Sequence, residues 1–168
     1  SGGRSQTQRG SQFEGIQQNL RHRISTITLD EKDIDRSASS YHTALHYSYD
    51  ILGNVKTLVS ENNYAGQSYA SQKYKTVHYD YDLVSGKVNK VAYQKGKPDQ
   101  FIYKYSYDAE NKIKNLLSSK DDIVYTQEVQ YEYYLHGPLA RTIYGEDQVQ
   151  GIDYAYTLQG WLKGINAS

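Results

Sequence analysis

Cysteine and methionine are both absent from the 168 residues, and proline occurs only twice. Without cysteine there can be no disulfide, no thiolate nucleophile and no thiolate-based zinc or iron–sulfur site, and the redox compartment is left open. A chain that begins at Ser1 and has no Met is expected to be a processed or excised piece of something longer. Excess charge is lacking too. Nineteen Lys and Arg balance nineteen Asp and Glu, so no net field draws the chain towards nucleic acid or an anionic membrane. No apolar run approaches the length needed to cross a bilayer, which speaks against membrane insertion, and no signal peptide is present. Aliphatic residues are sparse, near the level that warns of disorder.

What the chain has instead is 19 tyrosines. Tyrosine favours strands and combines a large apolar ring with a polar tip, so a core built from it should be β-rich. At this length there is room for one domain with a modest core.

The tyrosines recur in a pattern: Tyr-x-Tyr, then Asp or another polar group, a turn, and two apolar positions. The first copy has Tyr47, Tyr49, Asp50, Gly53, Val55 and Leu58; the second has Tyr79, Tyr81, Asp82, Gly86, Val88 and Val91. The third has Tyr105, Tyr107, Asp108, Asn111, Ile113 and Leu116. Tyr131, Tyr133, Gly137, Leu139 and Thr142 make the fourth, and Tyr154, Tyr156, Gly160, Leu162 and Ile165 the fifth. The second tyrosines are 32, 26, 26 and 23 residues apart, spacings typical of stacked repeat units.

Each position has a physical reason. Period-two alternation puts both rings on one face of a strand. Asp at the first turn position accepts hydrogen bonds from turn amides, and Gly or Asn suits a site of positive φ. The apolar pair opens the returning strand. Its members are three apart, so strict alternation would split them between faces, and a bulge would restore them to one side. The expected fold is all-β: an antiparallel meander of repeated hairpins with about ten to twelve strands.

The five repeats fall at about 41–60, 76–95, 101–118, 129–145 and 151–168. Residues 16–40 read as a degenerate copy plus a loop, with Asn19 at the Asp position, His22 at the glycine position and Ile24 and Ile27 as the apolar pair; its Tyr-x-Tyr slot would be Ile16-Gln17-Gln18. Residues 1–15 are almost devoid of apolar content and read as a flexible linker. Glu31–Ser40 reads as a loop. Glu61–Lys75, with Tyr64, Tyr69 and Tyr74, reads as an excursion without helical periodicity.

This pattern resembles the YD repeats of RHS proteins, of bacterial toxin-complex shell proteins and of teneurins. Segments such as Ser37–His42, Val88-Asn89-Lys90-Val91, Gly137–Arg141 and Asp153–Trp161 are most similar to RHS proteins of Bacteroidetes. The resemblance implies a sheet that forms part of a curved shell, in a large secreted or cell-surface bacterial protein, enclosing a toxin in some members and acting as an adhesive or scaffold in others. It does not extend to the aspartyl self-cleavage region of the toxin members, for which nothing here matches.

No enzymatic constellation emerges. The acids at 50, 82 and 108 tempt with acid–base chemistry on a glycan, but repetition once per unit marks turn capping. His42 and His46 have a spacing that would suit a metal only on a helix, and His46 enters a strand. His46 and His78 share a repeat position taken by Lys104, Gln130 and Asp153 in the other copies, which reads as exposed and variable. No cofactor or metal site is read. Tyr47, Tyr79, Tyr105, Tyr131 and Trp161 are the candidates for stacking on sugars, against a purely structural role for the tyrosines. Trp161, the single tryptophan, is expected to cover one end of the sheet. The open edges call for flanking repeats of the same parent chain or a partner.

Overall fold

The computed structural model describes residues 17–29, 41–63 and 70–167. The segment 1–15, the loop Glu31–Ser40 and the tyrosines at 64 and 69 lie outside the described residues, as does Ile16.

Among the described residues there are eleven strands: β1 (Thr26–Leu29), β2 (Thr43–Tyr49), β3 (Val55–Asn62), β4 (Tyr74–Tyr81), β5 (Val88–Tyr93), β6 (Phe101–Tyr107), β7 (Ile113–Ser119), β8 (Thr126–Tyr133), β9 (Leu139–Tyr144), β10 (Gln150–Tyr156) and β11 (Leu162–Ala167). They form an antiparallel meander in which every strand lies beside its sequence neighbours, and the sheet does not close. The excursion between the first two repeats is shorter than the sequence implies. Glu61 and Asn62 finish β3, a single helical turn α1 spans Ala70–Lys73, and Tyr74 already belongs to β4. Tyr74 and Lys75 extend the period-two run that ends in Tyr79 and Tyr81, so pairing with a neighbour prevails over their loop-like composition.

By internal contacts the chain divides within β4 into two compact units, Ser1–Val77 and His78–Ser168. In the first, Ala44, Tyr49 and Val59 are buried; in the second, Ala92, Ile102 and Ile143 are. Few side chains are fully enclosed, as a sheet with little apolar cover requires.

The three-residue spacing of the apolar pairs is resolved by a bulge in the hairpins β2–β3, β6–β7, β8–β9 and β10–β11. Tyr49 lies opposite Val55 while Ser48 lies opposite Thr57, so Lys56 is the extra residue. The same skip occurs at Lys114, where Tyr107 faces Ile113 and Ser106 faces Asn115. It recurs at Ala140 between β8 and β9, and at Lys163 between β10 and β11. In consequence Leu58 faces Tyr47 and Leu116 faces Tyr105, and the apolar pair shares a face with both tyrosines.

The turns of the five hairpins share a residue of positive φ. Gly53, Gly86, Asn111, Gly137 and Gly160 have φ of 102°, 69°, 65°, 111° and 84°. An ordinary side chain is strained in that region, and Gly or Asn relieves it. The amide of residue 50, 108, 134 or 157 donates to the carbonyl of residue 54, 112, 138 or 161, and the turn residue's amide returns to the first residue's carbonyl. Tyr134 and Thr157 stand where the first three copies have Asp, so the ring closes without a carboxylate. Asn19 and His22 also have positive φ, 55° and 58°. Their turn closes differently, with the Arg23 amide on the Leu20 carbonyl and the Arg23 guanidinium on the Asn19 carbonyl.

Candidate functional site: a tyrosine ladder and a buried carboxylate

Four of the junctions between units share one register. Ile27 lies opposite Leu45 and Thr26 opposite His46 where β1 meets β2. Val91 lies opposite Tyr103 and Lys90 opposite Lys104 where β5 meets β6. Leu116–Val129 with Asn115–Gln130, and Thr142–Ile152 with Arg141–Asp153, repeat the arrangement in the next two junctions. Each time, the second apolar residue of one unit faces the residue two places before the next unit's first tyrosine.

That register sets up a cross-unit hydrogen bond. The Tyr49 hydroxyl donates to the Ile24 carbonyl at 2.8 Å, Tyr107 to Val88 at 2.7 Å and Tyr133 to Ile113 at 2.9 Å. The acceptor is always the first apolar residue of the preceding unit, and Ile24 fills that place before the first full repeat. A cation sits over each of the same rings. The Arg23 guanidinium lies 5.4 Å from the Tyr49 ring centre, Lys87 Nζ 5.3 Å from Tyr107 and Lys112 Nζ 5.2 Å from Tyr133. All three cations immediately precede the apolar residue whose carbonyl is bonded. This basic position is a repeat feature that reading the tyrosines and glycines alone passes over; Asn54, Pro138 and Trp161 fill it elsewhere.

The repeated acids serve their own turns. Asp50 Oδ1 accepts the Gly53 and Asn54 amides at 2.7 and 2.8 Å. Asp82 Oδ1 accepts Val84 and Ser85, and Asp108 Oδ1 accepts Glu110 and Lys112. The Ser85 amide above all holds the Asp82 carboxyl below its ordinary range.

The position three residues after the second apolar residue is a further one that the sequence does not announce. It holds Glu61, Gln94 and Ser119, all polar and all buried. Ser119 Oγ takes the amides of Asp121 and Asp122 and so shapes the β7–β8 connection. Glu61, only 7% exposed, gathers a network. Tyr41 OH donates to its Oε2 at 2.8 Å and Tyr74 OH to its Oε1 at 3.2 Å, with Lys73 Nζ 3.5 Å from Oε1. His46 Nε2 is 3.1 Å from Oε2, and His46 Nδ1 is 3.1 Å from Thr26 Oγ1. Burial alone would push the Glu61 carboxyl up, but the bonds from Tyr41, His46 and Tyr74 and the charge of Lys73 outweigh it and hold the group low. Burial, followed by the bond to Glu61, pushes the Tyr41 phenol up to about 12.

His46 is therefore not exposed, although the residue type at its position varies between repeats. Its side chain is 18% exposed, and both ring nitrogens face oxygen atoms of neighbouring strands. The equivalents also bond laterally: the Arg141 guanidinium reaches Asp153 at 3.0 Å, and Lys104 lies over the Tyr125 ring. Thr26, His46 and Glu61 stand in the order hydroxyl, imidazole, carboxylate on three successive strands. Among the described residues no group of three or more His, Asp and Glu side chains could hold a metal ion, and no helix is long and apolar enough to cross a membrane.

The first tyrosines of the five units, at 47, 79, 105, 131 and 154, are all half-buried. Burial first, then the neighbouring phenols of Tyr103, Tyr107, Tyr131 and Tyr79, raise the Tyr105 pKa. Tyr47 and Tyr49 stack at 6.5 Å, and Tyr79 and Tyr81 at 6.4 Å. Trp161 does not cover the sheet. It is 74% exposed on the β10–β11 turn, because it occupies the place that holds the lysine in units two and three, at a turn whose tip points to solvent.

No family model matches the chain, and no curated protein matches it. Solved structures do. The chain is similar to TcdB2-TccC3 without its hypervariable C-terminal region, with a TM-score of 0.57 and 17% identity over 75% of this chain and 6% of that one. A second TcdB2-TccC3 structure gives 0.56 and 15% over 85% of this chain and 8% of that one. The Tc holotoxin pore of Photorhabdus luminescens, carrying a TccC3 variant, gives 0.57 and 15% over 75% and 6%. The likeness is one of fold, an RHS-like sheet, and the chain spans less than a tenth of the length of each of those proteins.

Proposed function

We propose that this chain is a structural segment of a large secreted or cell-surface RHS protein of the Bacteroidetes kind, and that its sheet forms part of a shell or scaffold, in the manner of a toxin cocoon. The observation that supports this most is the constant junction. Four repeat boundaries use one register, so the sheet grows by adding units that join alike. Similarity of fold to toxin-complex chains supports the same reading. In it the chain has no chemistry of its own, and the Thr26–His46–Glu61 line is a clamp across three strands. The purified chain should then hydrolyse neither glycans nor activated esters; turnover abolished by both Thr26→Val and His46→Gln would overturn the reading. Expressed alone, the chain should self-associate or unfold without cooperativity. A compact monomer with a sharp unfolding transition would show that it does not depend on covered ends.

A second reading is a carbohydrate-contacting wall. The half-buried first tyrosines and the exposed Trp161 favour it, since aromatic faces stack on sugars. A glycan array decides between the two: reproducible binding lost on Tyr105→Ala and Trp161→Ala would support the wall.

A further inference from the structure

One junction inside the second unit departs from its counterparts. Lys90 lies directly opposite Lys104 where β5 meets β6. The same places hold Thr26 and His46, Asn115 and Gln130, and Arg141 and Asp153 at the other three junctions of this register. Like charges directly opposite each other destabilise a sheet, so the two lysines call for a counter-charge. The β7–β8 connection supplies it from 32 residues further along the chain. Both carboxylate oxygens of Asp122 lie 2.7 Å from Lys90 Nζ, and the Tyr125 hydroxyl donates to Oδ1. Lys104 Nζ stands 5.3 Å from the centre of the Tyr125 ring. The connection is shaped for this contact. Ser119 Oγ accepts the Asp122 amide at 3.0 Å, and Asp121 Oδ1 accepts the amides of Ile123 and Val124 at 2.9 Å each. Gln100 Nε2 donates to the Lys120 carbonyl at 2.8 Å. The bonds from Lys90 and Tyr125, with the charges of Lys90 and Lys95, hold the Asp122 carboxyl below its ordinary range.

We propose that Lys90 and the Tyr125 hydroxyl form a carboxylate-binding site, beside Lys104, that the chain fills with its own Asp122. A free carboxylate can take the place of Asp122 and release the connection between Lys120 and Tyr125. An ammonium and a phenol converging on one pair of oxygens recognise a carboxylate whatever molecule carries it. The acid and the ammonium come from separate elements, so Asp122 can leave without breaking a strand pair. A sugar acid and a small organic acid share this chemistry. The inference goes beyond both readings of the sheet and depends on neither.

The test uses reductive methylation of the full chain, with Lys90 compared to the exposed Lys120 as an internal reference. Asp122→Ala should speed Lys90 methylation about five- to tenfold relative to Lys120. Acetate, and separately trigalacturonate, should slow it again along a saturating curve. Sodium chloride at equal ionic strength and neutral maltotriose should not. Adding Tyr125→Phe to Asp122→Ala should raise the acetate required about threefold or more. In the unaltered chain the same carboxylates compete with a tethered acid, so about a hundredfold more is needed. Trypsin should then cut after Lys120 about tenfold faster. Tighter action of trigalacturonate than of acetate would support the site with a sugar acid as its ligand, and equal action would support it with a small carboxylate. Unchanged Lys90 methylation in Asp122→Ala, a gain that no carboxylate reverses, or an equal effect of chloride would overturn the proposal. So would a connection in the unaltered chain that trypsin cuts no faster at the higher carboxylate concentration.

Discussion

The two units of the molecule share capped turns, bulges and tyrosine bonds, but the first adds a device of its own. In Ser1–Val77 one unrepeated carboxylate, Glu61, collects Tyr41, His46, Tyr74 and Lys73 from chain positions on both sides of it. In His78–Ser168 the same small devices recur: a capped turn, a bulge, a tyrosine hydroxyl on a carbonyl and a lysine over a ring. The first arrangement concentrates its energy in one place, where a single change can remove several bonds. The second spreads it over many weak contacts, none of which is decisive. A repeat sheet can thus be secured by an exceptional residue or by regularity.

Substituting Glu61 should separate the units most sharply. Glu61→Ala leaves two phenols, an imidazole and an ammonium without their shared acceptor, at a cost of about 2–4 kcal/mol. Amide exchange should accelerate across β1–β3 and remain unchanged across β6–β9; acceleration throughout would mean that the units are not separately held. The same residue predicts a pH dependence. Its folded-state pKa lies below the ordinary 4.5, so its stabilisation is complete above that value and disappears as pH falls through the folded-state pKa. Asp82, Asp121 and Asp122 are also held low, so both units lose stability in acid. The informative quantity is the difference: Glu61→Gln should flatten the acid limb of the first unit only. At the alkaline end Tyr41, at about 12, should lose its contribution as pH rises from 10 through that value.

The next effect in size concerns backbone. Gly137 has φ of 111° and a Cβ there would meet nothing closer than Lys112 Nζ at 3.8 Å. Gly137→Ala should therefore cost about 1–2 kcal/mol from conformational strain alone, read as a lower midpoint in denaturant. Tyr107→Phe deletes one cross-unit bond and should cost about 1 kcal/mol, with faster exchange localised to the β5–β6 junction. Smallest is Lys112→Ala, which removes a cation from the Tyr133 ring and should lower the denaturation midpoint less than Tyr107→Phe does. If Tyr107→Phe proved as damaging as Glu61→Ala, the contrast between the units would collapse.

The second unit was far more readable than the first. Tyr105-x-Tyr107, Asp108, Asn111 and the pair Ile113 and Leu116 lie within twelve residues, so local periodicity carries the hairpin, its turn and even the bulge. Trp161 was misread because its rarity drew attention away from its place, the slot that Lys87 and Lys112 fill. The Glu61 network had no local signal. Its donors are brought in from Tyr41 and Tyr74, 20 residues before and 13 after it, and only strand pairing makes them neighbours. His46 looked exposed because its equivalents differ in type; its contacts with Thr26 and Glu61 come from neighbouring strands, which composition does not display.

The constant junction has a genetic consequence. Removing the 26 residues from Tyr107 to the position before Tyr133 would join β6 to β9, and every strand would still meet a neighbour of a kind it already accepts. Recombination between copies can therefore lengthen or shorten such a chain in whole hairpins without a misfolded intermediate form. The number of hairpins is free to drift between descendants, whereas a frame error of one residue within a hairpin is selected against at once.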